Sequence, residues 1–152
     1  MADAKLQPPT LMPVAHVSLS LKALDAPADV AVGDGELLLL EPQPDVVKKI
    51  KKAFCEPGNV AHCPPIVLAR EVVLAHGEGQ ALAVKEARFG SAAQIEEAFA
   101  SGALHPADLK PAVRDAVEAV VARVRKAVQE DKELAAAEKE MAKVLKRMTS
   151  KK

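Results

Sequence analysis

A stripe of apolar side chains in the second half of the chain constrains its fold more than any other feature. Residues 111–128 carry an apolar side chain at nearly every third or fourth position, and only an α-helix gathers such a spacing onto one face. The members are Val113, Ala116, Val117, Val120, Val121, Val124 and Val128. Pro111 suits the first position of a helix, where its missing N–H has no partner to lose. The stripe therefore predicts a long helix that begins at Pro111 and buries one face.

Start and stop signals mark further helices. Asp45 is the predicted N-cap of a lysine-rich helix. Ser91 stands three residues before Gln94 in a capping-box pattern, and Gly102 is placed to end the helix that they start. A last helix carries a heptad-like seam that predicts packing on its own domain or on a partner helix. The seam consists of Leu134, Ala137, Met141, Val144 and Met148.

The N-terminal third has a different character. Residues 1–12 predict a flexible lead-in, because Pro8 and Pro9 block a helix. Residues 14–21 alternate loosely and predict a strand, and the apolar run 37–40 between Gly35 and Pro42 predicts a short buried strand. The fold class predicted for the described pattern is mainly α, after a short region with strands.

Composition restricts the possible functions. The chain has no Trp, no Tyr and three Phe, so few side chains can stack on a base. Its net charge is zero, but residues 1–47 are acidic and residues 123–152 are basic. The basic end either favours phosphate backbones or is a solvated helix of mixed charge. Two cysteines and no signal-like N-terminus predict free thiols in a reducing compartment, the cytoplasm, and no apolar run predicts a membrane helix.

Other kinds of site find little support. Cys55, His62, Cys63 and His76 are possible metal ligands, but their spacing lacks the paired geometry of zinc sites, so no metal is expected. The sequence has no phosphate-binding glycine loop and no nucleophile in a glycine-flanked turn, so no catalytic residue is predicted.

Two stretches resemble one known family. Residues 99–113 read FASGALHPADLKPAV, and the part from Leu104 to Lys110 resembles the anticodon-reading turn of archaeal and eukaryotic tyrosyl-tRNA synthetases. Residues 47–58, VKKIKKAFCEPG, resemble a lysine-rich helix and turn of the same family. The two stretches occur in the family's order and at a similar separation, which makes the pair far more specific than either string alone. The resemblance implies a helical anticodon-binding domain preceded by a remnant of the class I, Rossmann-like α/β catalytic domain.

The resemblance also implies a site. Asp108 matches the aspartate that reads the first anticodon base, a guanine, and a carboxylate suits the N1–H and N2–H donors of that base. Phe89 matches the family's stacking phenylalanine, while His105 and Pro106 match the residues that shape the turn beside a neighbouring nucleotide. Lys85 and Arg88 are expected to contact phosphates. Each has a structural alternative: a helix-end carboxylate, a core ring, a helix cap or a solvated surface charge.

The catalytic signatures of the family are missing. No H-x-G-H-type motif occurs, and the positions that match the lysine loop read Ala28-Asp29-Val30-Ala31-Val32, without a lysine. In the family that loop holds the triphosphate, which an aspartate would repel. ATP and magnesium therefore belong to the full enzyme, and no cofactor is expected in this segment. The pattern resembles the degenerate half of a double-length enzyme, as found in some protozoa.

These observations predict three parts. Residues 1–44 are the lead-in and the degenerate end of a catalytic domain, residues 45–130 the anticodon-binding domain, and residues 131–152 a basic C-terminal helix. The expected partners are tyrosine tRNA and a catalytic half or second subunit, with neither membrane nor DNA. The alternative is a non-catalytic helical interaction module derived from a synthetase.

Overall fold

The computed structural model describes residues 21, 35–38, 40–76, 79 and 81–149. Within them the fold is mainly α, as predicted, with one two-stranded antiparallel sheet. The helices are α1 Gln43–Lys52, α2 Pro64–Leu68, α3 Leu74–His76, α4 Ala92–Ala100, α5 Pro106–Glu130 and α6 Lys132–Thr149. A π-helical turn, Ala69–Val73, joins α2 to α3, and the strands are β1 Leu82–Val84 and β2 Ala87–Phe89.

Helix α5 is the scaffold of the domain. Its buried stripe contains Leu109, Val113, Val117 and Val121, and α1, the π-helical turn and β1 all pack against it. The prediction that this helix begins at Pro111 is wrong, because one continuous helix starts at Pro106 and contains Pro111. A proline there deprives the Ala107 carbonyl of its helical donor. Both residues are exposed, so water can solvate that carbonyl and the helix continues.

Helix α1 lies against α5 through Val46 and Ile50, which are fully buried. The predicted N-cap is wrong by three residues: Pro42 is the cap, and Asp45 lies inside the first turn. A carboxylate there still faces the unpaired N–H groups of the helix start. Phe54 lies beyond the end of the helix, where its N–H donates to the Leu21 carbonyl at 2.9 Å.

Helix α4 has the ends that its sequence predicts. Ser91 Oγ accepts a hydrogen bond from the Gln94 N–H at 3.4 Å, and Gln94 Oε1 accepts one from the Gly90 N–H at 2.9 Å. Gly102 adopts a φ of +79°, which glycine tolerates best, and the Leu104 N–H then returns to the Ala98 carbonyl at 2.8 Å. This turn delivers the chain to the start of α5.

The N-terminal part is only partly described. The strand predicted for residues 14–21 and the degenerate lysine loop at Ala28 to Val32 lie outside the described residues, apart from Leu21. The strand predicted for residues 37–40 is wrong at its described positions: Leu37 and Leu38 have no regular structure, Leu38 is 47% exposed, and Leu40 lies in a turn. The predicted Rossmann-like remnant is therefore not seen in the described part of the chain.

A network of charged side chains attaches this segment to the helices. Glu41 is buried and forms an ion pair with Lys49 of α1. Arg125 of α5 donates to the Glu41 carbonyl and pairs with Glu118, about two turns earlier on the same helix. Because charges this enclosed are costly unless paired, the network holds the segment before α1 against α5.

Helix α6 leaves its seam uncovered within the described chain. Leu134, Met141 and Val144 are 50%, 57% and 50% exposed, so the predicted packing of this seam on its own domain does not occur there. None of the described helices has the length and apolar character needed to cross a bilayer.

Candidate nucleic-acid interface

A two-residue turn positions the first predicted site residue. Strands β1 and β2 pair with Val84 opposite Ala87, so Lys85 and Glu86 form the hairpin turn. Lys85 has a φ of +54°, in the left-handed region that costs a side-chain-bearing residue free energy. Strained backbone is often found at functional sites, where the surrounding fold maintains it.

The hairpin turn faces the start of α5 across an open cleft of about 380 Å³. The cleft is lined by Val84, Lys85, Glu86, Ala87, Phe89, Ala103, Leu104 and Asp108. Three of the residues that the family resemblance singled out, Lys85, Phe89 and Asp108, therefore share one concave surface. Its volume lies within the range of small-ligand clefts.

Asp108 presents its carboxylate to this cleft from the third position of α5. The Lys85 ammonium donates to Asp108 Oδ2 at 2.7 Å, and the two side chains are 72% and 33% exposed. So exposed a pair contributes only about 0–1 kcal/mol to stability. The ion pair orients the carboxylate without enclosing it. Among the described residues, no hydrogen bond reaches Asp108 Oδ1.

Phe89 is half-buried at the end of β2, opposite Leu82 in the register. Its ring packs against the hydrophobic core on one side and lines the cleft with the rest of its surface. The structural alternative and the stacking role are therefore compatible, because the core holds the ring while part of it stays accessible.

His105 and Pro106 form the start of α5. His105 is exposed and is the N-cap, with Nδ1 accepting from the Ala107 N–H at 3.2 Å. Pro106 is buried at the first helical position. Because it is buried, it offers little surface to a ligand.

Arg88 is separated from the other predicted residues. Side chains alternate along a strand, so Arg88 lies on the opposite face of the hairpin from Phe89 and does not line the cleft. Its guanidinium approaches Gly79, where an added Cβ would lie 2.8 Å from Arg88 Nη2. For Arg88 to contact a phosphate, the backbone of a nucleic acid bound in the cleft would have to pass around the hairpin.

The sequence did not indicate which other residues complete the lining of the cleft. Glu86, Ala103 and Leu104 line it, and the Lys85–Asp108 pair bridges it across 23 residues of sequence. No local sequence pattern predicts an ion pair between two residues that lie 23 positions apart. In the described residues no group of three or more His, Cys, Asp or Glu side chains is arranged to hold a metal ion.

Comparison with known proteins identifies the lineage of this domain. No protein-family model matches the chain. The cytoplasmic tyrosine–tRNA ligase of Danio rerio is 33% identical over 100 residues, which cover 61% of this chain and 18% of that protein. The tyrosine–tRNA ligase of Methanospirillum hungatei is 31% identical over 115 residues, covering 72% of this chain and 36% of the relative.

A solved structure agrees with both. The crystal structure of tyrosyl-tRNA synthetase from Aeropyrum pernix matches with a TM-score of 0.64 and 28% identity, over 78% of this chain and 36% of that one. This chain is a homologue of part of the tyrosyl-tRNA synthetases. The family resemblance of the two sequence stretches is thereby confirmed. The chain spans about a fifth to a third of the length of the synthetases that it matches.

Proposed function

We propose that this domain reads the anticodon of tyrosine tRNA, as part of a tyrosyl-tRNA synthetase that aminoacylates tRNA in the cytoplasm. The observation that carries the proposal is the convergence of Lys85, Phe89 and Asp108 on one cleft at the start of α5. Homology to the synthetases supplies the class of ligand, and the cleft supplies groups that suit a nucleotide.

The carboxylate of Asp108 suits guanine. Two carboxylate oxygens accept the N1–H and N2–H bonds of the guanine edge, and no other standard base presents that pair of donors. In the free chain Lys85 holds Oδ2, and Oδ1 has no hydrogen bond within the described residues. Binding would require the Lys85 ammonium to leave Oδ2, at a small cost because that pair is solvated.

Phe89 and the lysines supply the remaining interactions. The accessible part of the Phe89 ring offers a stacking surface in the cleft that the Asp108 carboxylate also lines. Lys85, released from Asp108, is long enough to meet a phosphate of the same nucleotide. Lys110 Nζ donates to the Lys51 carbonyl at 3.3 Å, so the lysine-rich end of α1 adds positive charge beside the first turns of α5.

Binding of a tyrosine tRNA transcript, followed by fluorescence anisotropy at fixed salt, tests the proposal. Asp108→Asn keeps the shape but removes one acceptor, and we expect the Kd to rise about 10-fold or more, the cost of a lost charge-assisted hydrogen bond. Asp115→Asn is the matched control, because Asp115 lies on the same helix and pairs with Arg114 at 2.7 Å outside the cleft. A transcript with adenine as the first anticodon base should bind wild type weakly and lose little more with Asp108→Asn. Equal behaviour of the two variants would refute the role of Asp108.

We also propose that tyrosine activation takes place elsewhere, in a catalytic half or second subunit. The support is the absence of the H-x-G-H-type motif and of lysines at residues 28–32. An ATP–pyrophosphate exchange assay on this chain should show no tyrosine-dependent exchange. Measurable exchange would overturn this part of the proposal and leave anticodon recognition standing.

A second candidate, a helical interaction module derived from a synthetase, is favoured by one observation: the exposed apolar seam of α6. This module would bind a protein and have no use for the cleft. It predicts that tyrosine tRNA binds no more tightly than an unrelated tRNA and that Asp108→Asn changes neither affinity.

A further inference from the structure

The two cysteines meet in the folded chain. Cys55 follows α1 and Cys63 is the N-cap residue of α2, eight positions later. The loop between them brings Cys55 Sγ to 3.3 Å from Cys63 Sγ. Cys63 is 1% exposed, whereas Cys55 is only half-buried. Both are free thiols, and neither belongs to the cleft described above.

Either thiol can donate the hydrogen bond that joins the pair, and the Ile66 N–H beside Cys63 favours Cys63 as the acceptor. The hydrogen bond from Cys55 lowers the pKa of Cys63, helped by the Ile66 N–H and the Lys110 ammonium. The same hydrogen bond, with burial, raises the pKa of Cys55. Lys110 is held near the pair by its bond to the Lys51 carbonyl. A thiolate is the reactive form of cysteine, so the pair has one activated sulfur and one thiol beside it.

We propose that Cys55 and Cys63 are a redox modification site, at which hydrogen peroxide converts the two thiols into a reversible intramolecular disulfide. The sulfur separation of 3.3 Å needs to close only to about 2.05 Å for the bond to form, and Cys55 lies in the loop between α1 and α2, outside both helices. Disulfides in cytosolic proteins are mostly of this transient kind.

The chemistry balances with peroxide as the oxidant. The Cys63 thiolate attacks one peroxide oxygen, the O–O bond breaks, and the hydroxide that leaves takes the Cys55 proton to become water. Cys63 is then a sulfenic acid. The Cys55 sulfur attacks the Cys63 sulfur, the S–O bond breaks, and a second hydroxide leaves. The two sulfurs lose two electrons in total, and the two peroxide oxygens gain them.

Access and reversal follow from the position of the pair. Cys55 is the half-exposed member, so a small oxidant reaches the sulfurs from its side, and a dithiol reductant attacks the disulfide there. The bond would close the loop between α1 and α2 and restrain the segment in which Phe54 bonds to Leu21. This inference does not depend on tRNA binding, because it uses none of the cleft residues.

Treatment of the full chain with hydrogen peroxide, with quenching by alkylation and peptide mass spectrometry, tests the proposal. We expect both thiols to disappear together, a peptide linking Cys55 to Cys63, and full recovery with dithiothreitol. In Cys55→Ala the loss of the Cys63 thiol should slow by about an order of magnitude, since alanine offers neither the resolving thiol nor a donor for the hydrogen bond to Cys63. Lys110→Gln, which keeps both thiols, should be oxidised more slowly than the wild-type chain.

Several results would overturn the proposal. These are independent loss of the two thiols, disulfides only between chains, or an unchanged Cys63 rate in Cys55→Ala. Cys63 is buried, so its replacement would disturb the core, whereas Cys55→Ala replaces a half-exposed side chain. Urea unfolding of the reduced Cys55→Ala chain verifies that it is folded before its rate is compared.

Discussion

Phe89→Leu separates the stacking role of the ring from its place in the core. Leucine keeps the apolar contact but removes the aromatic face. Stacking of a base on such a ring is worth about 1–3 kcal/mol, which corresponds to a Kd for tyrosine tRNA roughly 5- to 150-fold higher. Because Phe89 is only half-buried, we expect the free energy of unfolding to fall by less than about 1.5 kcal/mol.

The assay needs matched variants. Fluorescence anisotropy gives the Kd at one fixed salt concentration, since affinity for nucleic acid depends steeply on salt. Phe54→Leu is the control, because Phe54 is also half-buried but does not line the cleft. Phe89→Tyr keeps the ring and should restore binding. If Phe89→Leu and Phe54→Leu both fold and both bind as wild type does, the ring does not stack on the ligand.

Four further changes follow from the structure. Lys85→Gly removes the strain of a left-handed backbone, which stabilises the fold, and an exposed ion pair, which destabilises it, each by about 1 kcal/mol. The urea midpoint of unfolding should therefore barely move. The salt dependence of tRNA binding should weaken, because one positive charge is lost. Leu109→Ala, at a fully buried site, should lower the free energy of unfolding by about 2–5 kcal/mol in urea titration; a smaller loss would mean that the core refills the space. Ser91→Ala should cost about 1 kcal/mol in the same titration, and no change would show that the long bond to Gln94 contributes nothing. Arg125→Met leaves the largely enclosed Glu118 carboxylate without its partner and should cost about 3–5 kcal/mol in the same titration; a much smaller loss would mean that water replaces the guanidinium.

The two ends of the described chain differ in how far their side chains are packed: the ion network at Glu41 is enclosed, whereas the apolar seam of α6 is exposed. Glu41, Arg125 and Glu118 are enclosed and paired, so the segment before α1 is held to α5. Leu134 and Met141 stay about half exposed or more. The apolar face of α5 is therefore buried by neighbouring elements, whereas α6 has an apolar face that the described residues do not cover.

Local pattern was enough to predict the buried face of α5 and both ends of α4, but not the starts of α1 and α5. The stripe through Val113, Val117 and Val121 predicts a buried helix because a period near 3.6 has no other low-energy solution. Ser91 and Gly102 predict the ends of α4 because unpaired N–H groups and a left-handed residue have few local alternatives. Two strings, residues 47–58 and 99–113, together indicated the resemblance to tyrosyl-tRNA synthetases, and the homologues support it.

Only the tertiary structure decided which residues meet. Lys85 and Asp108 lie 23 residues apart and pair because the hairpin packs on the start of α5. Cys55 and Cys63 become neighbours because a loop of the right length joins two helices that both pack on α5. Pro111 is kept inside a helix because the contacts of that helix outweigh its preference for a first position. Local sequence specifies backbone preferences, but contacts between distant segments depend on how the apolar faces are buried together.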